Sequence, residues 1–132
     1  AAMLFTLNVD GHHEWDPADP LDSTVDRLFA QHQRRDKGFG PALGAAAVPA
    51  LRRALQGSGY RVFSAASDWR IHSLESAHAG ALQHALIDGI AHAACEQEPA
   101  ALAALEAWRQ RRHAQAASGR LRVGHVDLLA LG

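Results

Sequence analysis

The chain has 132 residues, 48% of them hydrophobic and 20% charged, with 13 basic against 14 acidic residues and a formal net charge of -1. That length makes at most one ordinary domain, and the balanced charge gives no reason to invoke the clustered positive surface of a nucleic-acid binder. A single cysteine, Cys95, excludes an internal disulfide framework and a cysteine-rich zinc site, so a reducing, cytoplasmic setting is the default.

Met3–Val9 is a short apolar run that reads as a strand buried on both faces. It lacks a basic leader, and no apolar run in the chain approaches the ~18 residues of a membrane span. Asp10-Gly11 reads as its end, and His12–Asp22, with Pro17 and Pro20, as a loop. Asp22-Ser23 can cap a helix over Thr24–His32, with Val25, Leu28 and Phe29 on one face. A glycine-rich stretch, Gln33–Gly44, follows. Pro41 opens a helix to about Gln56, with Pro49 predicting a kink or a late start. Gly57-Ser58-Gly59 stops it. Tyr60–Ala66 reads as the second strand, with Ser67-Asp68-Trp69-Arg70 at its far end. A long helix spans about Glu75–Gln97. Pro99 fits the first turn of another, running to about Ser118 with Trp108 as a core anchor. Gly119 stops that helix, and Leu121–Leu131 is the last strand.

Helical excursions between strands favour crossovers over hairpins, which predicts an α/β fold. Three strands are few for this much helix. The first one is left with an open apolar edge, so a homo-oligomer through that strand, or a further segment covering it, is expected.

Taken in order, the runs Leu7-Asn8-Val9-Asp10-Gly11, His32–Gly44 (HQRRDKGFGPALG), Gly59–Val62, Ser67–Arg70 and Val123–Leu131 resemble one bacterial branch of the class I S-adenosylmethionine-dependent methyltransferases, in their C-terminal half. The resemblance covers nearly the whole chain. It implies a seven-stranded sheet in which the first four strands and a glycine-rich turn hold the cofactor. Met3–Val9 then corresponds to the fifth strand, Tyr60–Ala66 to the sixth and Val123–Leu131 to the antiparallel seventh. The family's GxGxG turn after a strand and its ribose-gripping acidic residue are both missing from these residues. The expectation is a single domain, 1–132: the last three strands of a partial Rossmann-like methyltransferase sheet with flanking helices. It would form the acceptor-substrate side, and the N-terminal cofactor-binding part would be absent. S-adenosylmethionine belongs to the parent protein, and no cofactor is expected on this chain alone.

In an open α/β sheet, ligands sit beyond the carboxyl ends of parallel strands. That rule selects Asp10 and Gly11 after the first strand and Ser67, Asp68, Trp69 and Arg70 after the second. An antiparallel last strand would bring Gly124 and His125 to the same rim. His125 or Asp10 is the candidate general base, needed only where the methyl acceptor must lose a proton. Trp69 would wall the pocket. The same residues also read simply as turns.

The Gln33–Gly44 stretch has three readings. Gln33, Arg34, Asp36, Lys37 and Gly38, with Arg35, could form a substrate loop for an anionic acceptor. Arg35-x-x-Gly38-x-Gly40 also matches the pyrophosphate loop of coenzyme A-dependent N-acyltransferases, whose backbone amides hold phosphates. The third reading is a glycine cap joined to a proline-started helix. His84, Asp88 and His92 share one helix face, as a solvated stripe or as divalent-metal ligands. Arg109, Arg111, Arg112 and His113 close a helix whose terminal carbonyls favour cations, or they form a phosphate- or RNA-contacting patch.

Overall fold

A computed structural model describes residues 1–132. Strands β1 (Ala2–Asp16), β2 (Arg61–Ala66), β3 (Trp69–His72) and β4 (Arg120–Leu131) form one sheet. Helices α1 (Asp22–Gln33), α2 (Ala47–Gly57), α3 (Ala77–Gln97) and α4 (Leu102–Gln115) flank it, with 3-10 turns at Gly44–Ala46 and Pro99–Ala101 leading into α2 and α4. Pro49 stands in the first turn of α2, so the late start is the observed outcome.

The sheet is built around β4. This strand pairs with β1 on one side and with β2 and β3 on the other, antiparallel throughout. The α/β class stands, and the β1–β2 connection through α1 and α2 is a crossover between strands of one direction, but the two do not pair, because the last strand lies between them and every pairing is antiparallel. β1 pairs only with β4, so its outer edge has no strand neighbour.

Two boundaries differ from the sequence reading, for related reasons. Asp10-Gly11 does not end β1. The register runs Val9↔His125 and then His13↔Val123, so the strand bulges through residues 10–12 and re-pairs. Gly11 takes φ +86° there, a conformation that costs glycine little. A second bulge lies between Phe5 and Asn8, where Leu7 has φ +62°. The Asn8 amide pins it by donating to the carbonyls of Phe5 (3.1 Å) and Val126 (3.0 Å). Ser67-Asp68 likewise interrupts the second sheet-forming run without ending it. After the break, β3 resumes pairing with β4, from Trp69↔Val123 to His72↔Arg120. Turn-forming residues mark interruptions in both places, and tertiary pairing carries the strand on past them.

Side chains alternate across β4. Leu121 and Val123 face α1, α3 and α4 in a core with Val25, Leu28, Ile87, Ile90, Leu105 and Trp108. Ser64, paired with Leu128, receives a hydrogen bond from Arg52 of α2 (3.3 Å), so α2 covers the opposite face near Leu128 and Ala130. The first face is covered only in part. Leu4, Leu129 and Phe63 stand side by side in register on that face and are 67%, 38% and 52% exposed.

The β1–α1 connection is fastened to α4 by two arginines. Arg112, 2% exposed, donates to both carboxylate oxygens of Asp22 (2.9 and 2.8 Å) and to the Pro17 carbonyl (2.7 Å). Its guanidinium also lies over the Trp15 ring, 4.9 Å from the centroid. Arg111 donates to Asp19 (2.6 and 3.0 Å), and that contact, against the cost of burial, holds the Asp19 carboxyl below the usual range. Neither arginine is simply a partner for helix-end carbonyls; both reach across to acids of another element.

Candidate functional site

The rim residues selected from the sequence meet in the middle of the sheet. Both neighbours of β4 are interrupted at one level, β1 by the residue 10–12 bulge and β2–β3 by Ser67-Asp68, and that level is Gly124-His125. On the β2–β3 side the His125 carbonyl accepts the Ser67 N–H (2.9 Å). The His125 N–H, which a strand carbonyl would ordinarily receive, donates instead to Asp68 Oδ1 (3.1 Å). Arg122 binds the other oxygen, Oδ2, at 3.0 Å. These two contacts, the backbone one foremost, hold the Asp68 carboxyl below the ordinary carboxylate range. Ser67 closes the junction by donating to Asp127 (2.8 Å).

The His125 side chain is 3% exposed. Its Nδ1 lies 2.9 Å from the Val123 carbonyl oxygen, which can only accept, so Nδ1 carries the proton. In the neutral ring Nε2 is then an acceptor, and no protein group donates to it. Trp69 stacks on the imidazole, with centroids 4.6 Å apart and planes 26° apart. The two rings form one wall of a cavity of about 150 Å³, which is also lined by Val9 and His13 of β1, Phe29 and Gln33 of α1, Leu86 and Ile90 of α3, and Val123.

The two candidate bases do not converge. A Cβ on Gly124 would fall 2.1 Å from Asp10 Oδ1, so the Asp10 carboxylate occupies the space over Gly124. Neighbouring residues of a strand point to opposite faces. The Asp10 carboxylate and the His125 imidazole therefore lie on opposite sides of β4, and Asp10 accepts the His12 N–H (2.9 Å) rather than facing the cavity. His125 and Trp69 make the pocket, whereas Asp68 acts on it only through the backbone.

The glycine-rich loop divides in a similar way. Gln33 reaches the cavity. Arg35 ties α1 to the end of α3, donating to Gln97 (2.8 Å) and to the Glu96 carbonyl (2.7 Å). Asp36 Oδ1 accepts the N–H groups of Gly38 (2.7 Å) and Gly40 (2.9 Å), both residues with positive φ. Those amides, the ones a pyrophosphate would need, are already bound to a carboxylate, and the loop follows α1 and not a strand. Arg34 and Lys37 are exposed, as is Gly38, and none of the three lines the cavity.

A larger open groove of about 650 Å³ lies on the other face, lined by Glu14, Asp68, Arg70 and Arg122 among others. Its central cation is paired, with Arg122 contacting Glu14 and Asp68 at 3.0 Å each. His84 and Asp88 meet only through His113, whose ring stacks on His84, and His92 stands apart from them. Asp88 pairs with His113 (2.6 Å) and Arg109 (2.9 Å) of α4, and His92 lies 3.5 Å from Glu96. No group of three or more His, Cys, Asp or Glu residues is arranged to hold a metal ion. No helix is long and apolar enough to cross a membrane.

Sequence reasoning missed the cavity's inner wall. Leu86 and Ile90 belong to the apolar stripe of α3, and Val9 and Val123 to strands. Nothing in periodicity separates a residue lining a void from one packed in the core. Compared with family models, with curated proteins and with solved structures, the chain matches none.

Proposed function

We propose that this chain is the acceptor-binding, C-terminal portion of a class I S-adenosylmethionine-dependent methyltransferase, with the cofactor-binding portion carried by another stretch of polypeptide. The observation that carries the reading is the junction at Gly124-His125. Asp10, Ser67, Asp68, Trp69 and His125, named from the motif resemblance and the strand-end rule, cluster around one level of the sheet. The opposed direction of β4 against β1 and β2 agrees with the final antiparallel strand that the resemblance implies. The bare row Leu4–Leu129–Phe63 supports a further layer on that face, since folded domains seldom leave adjoining apolar side chains in water.

In this reading His125 Nε2 is the base candidate, Trp69 fixes the acceptor, and Asp10 serves the bulge. Methyl transfer depends mainly on in-line positioning, which suits a small pocket with the His125 imidazole set among apolar and aromatic side chains. The coenzyme A reading has no comparable support, because Asp36 fills its amides. The test is the coding sequence upstream of Ala1 together with a binding titration. A glycine-rich turn after a strand upstream, and saturable S-adenosylmethionine binding by the longer product but not by residues 1–132, are expected. Tight binding by the 132 residues alone would overturn the division of labour.

The bare row and the open β1 edge favour one other reading, a non-catalytic fragment that dimerises. Self-association with full retention of an empty His125 cavity would support it.

A further inference from the structure

The cavity beside His125 is specific enough in size and chemistry to name a class of ligand. Its volume of about 150 Å³ is that of a dry apolar cavity able to hold benzene. A cavity of that size has room for one aromatic ring. Phe29 and Trp69 contribute aromatic side chains, and Val9, Leu86, Ile90 and Val123 supply aliphatic contacts. Such walls suit a flat ligand, since aromatic pairs favour offset or edge-on contact.

The polar side chains at the cavity are His12, His13, Gln33 and His125. His13 Nδ1 lies 3.2 Å from Asp26 Oδ1, and neither of these buried atoms has a hydrogen-bond partner. No Lys, Arg, Asp or Glu lines the cavity, so a charged ligand would be desolvated without a partner, at large cost. His125 offers one lone pair at Nε2, because its Nδ1 proton is committed to the Val123 carbonyl. A ligand that fills the cavity without a donor would cut Nε2 off from water and leave it unpaired. We propose that the cavity binds a neutral, single-ring aromatic compound bearing one hydroxyl or ring N–H, which donates to His125 Nε2.

In its chemical role this site rests on the methyltransferase reading. The ligand oxygen or nitrogen attacks the methyl carbon of a methylsulfonium donor. The new O–CH3 or N–CH3 bond forms as the C–S bond breaks, and the electron pair leaves with sulfur as a neutral thioether. His125 Nε2 takes the proton that the acceptor gives up, becoming imidazolium. Nδ1 keeps its bond to Val123 throughout.

The test uses the isotopically labelled 132-residue protein and three probes: phenol, toluene and benzoate. In amide correlation spectra, phenol is expected to shift Val9, Phe29, Trp69, Ile90, Val123 and His125. It should bind about 3–10-fold more tightly than toluene, the worth of one hydrogen bond, and benzoate should bind more weakly than either. His125→Phe should keep toluene binding and abolish the preference for phenol, and Trp69→Ala should weaken both at least about 5-fold by removing a stacking wall. Should His125→Phe fail to fold, the phenol-to-toluene ratio in the wild type still decides. Equal affinity for the two, or phenol shifts that miss these six residues, overturns the proposal. Methylation is a separate readout. If phenol binds as expected but the full-length gene product does not methylate it from S-adenosylmethionine, the methyltransferase reading fails and the binding site stands.

Discussion

Replacing Arg112 with alanine is the sharpest perturbation of this fold away from the cavity itself. The side chain is almost wholly buried, chelates Asp22 through both oxygens, donates to the Pro17 carbonyl and to Gln115, and covers Trp15. Truncation leaves Asp22 with only Trp108 Nε1–H (2.8 Å) and the Asp19 N–H (2.7 Å) as donors. Breaking a buried ion pair from one side costs roughly 3–5 kcal/mol. Arg112 Nε has no partner of its own, and neither does Trp15 Nε1, so the cluster is incompletely satisfied and the lower figure, about 3 kcal/mol, is the better expectation. Unfolding entropy scales at roughly 2.1 cal/mol/K per residue, which for this chain turns 3 kcal/mol into a melting-point drop of about 11 °C. Urea unfolding followed by circular dichroism gives the free energy directly. Combining Arg112→Ala with Asp22→Ala should be markedly less than additive, because the second change removes the stranded charge. The arginine fastens the connection that sets α1, and α1 presents Phe29 and Gln33 to the cavity, so amide shifts should spread to that wall. A loss below about 1 kcal/mol, or strict additivity in the cycle, would show that the pair is not what holds the β1–α1 connection.

Four other outcomes are expected. Asp88→Asn should remove a pH-dependent part of stability. His113 first, then Arg109, hold the Asp88 carboxyl below its ordinary value, so the wild-type advantage should be full above the unfolded pKa of about 3.9 and fade as pH falls through the lower native value; urea titrations between pH 2 and 7 measure it, and a gap that widens on acidification contradicts it. Gly40→Val should cost about 1–2 kcal/mol by backbone strain alone, because φ is +89° and nothing lies within 4 Å of the added Cβ; unchanged urea midpoints would show that the loop relaxes to negative φ. Gly124→Ala forces the Asp10 carboxylate out of its place and should cost about 1–3 kcal/mol, with loss of amide-exchange protection at His12, whose N–H it now accepts. Leu4→Lys together with Phe63→Lys should abolish concentration-dependent self-association in sedimentation, and a wild type that sediments as a monomer at high concentration would refute an interface there.

The order of helices and strands was legible because it depends on local chemistry. Proline and glycine punctuation placed α4 and the end of α2 closely, although α2 starts at Ala47 and not at Pro41, and the spacing of Val25, Leu28 and Phe29 gave α1 its buried face. What the sequence did not reveal was how strands cross their own breaks. Asp10-Gly11 and Ser67-Asp68 carry ordinary turn residues, yet β4 offers its free backbone groups past both points, and each chain re-pairs. Strand pairing is a long-range event, with Trp69 meeting Val123 across 54 positions (123 minus 69). No local pattern reports it. The site shows the same divide. Residue identities at the junction were readable from the strand-end rule. The placing of Asp10 and His125 on opposite faces was not, because a bulge changes which way a side chain points. The arginines at the end of α4 had a sufficient local explanation in the helix dipole, and that explanation hid their partners in the β1–α1 connection.

Two interruptions at one level of a sheet explain why chemistry gathers in its middle rather than at its end. A regular antiparallel neighbour would supply a carbonyl to the His125 N–H. The Ser67-Asp68 break supplies a carboxylate in its place, so a charged side chain is bound into the ladder. That charge is compensated by Arg122 on the face away from the cavity. The imidazole of the same residue is thereby set on the cavity side with its Nδ1 turned back to the backbone and its Nε2 free. Across β4, the Asp10–His12 bulge leaves room for Asp10 over a residue that can only be glycine without displacement. Each break thus does structural work on one face and leaves the other face open. A continuous ladder on both sides would have had no need of Asp68 as an acceptor and no site for Asp10. The Ser67-Asp68 break inserts no residue, since β2 and β3 pair with β4 in one continuous register (Ala66↔Val126, then Trp69↔Val123), and that register brings the Trp69 indole over the His125 ring.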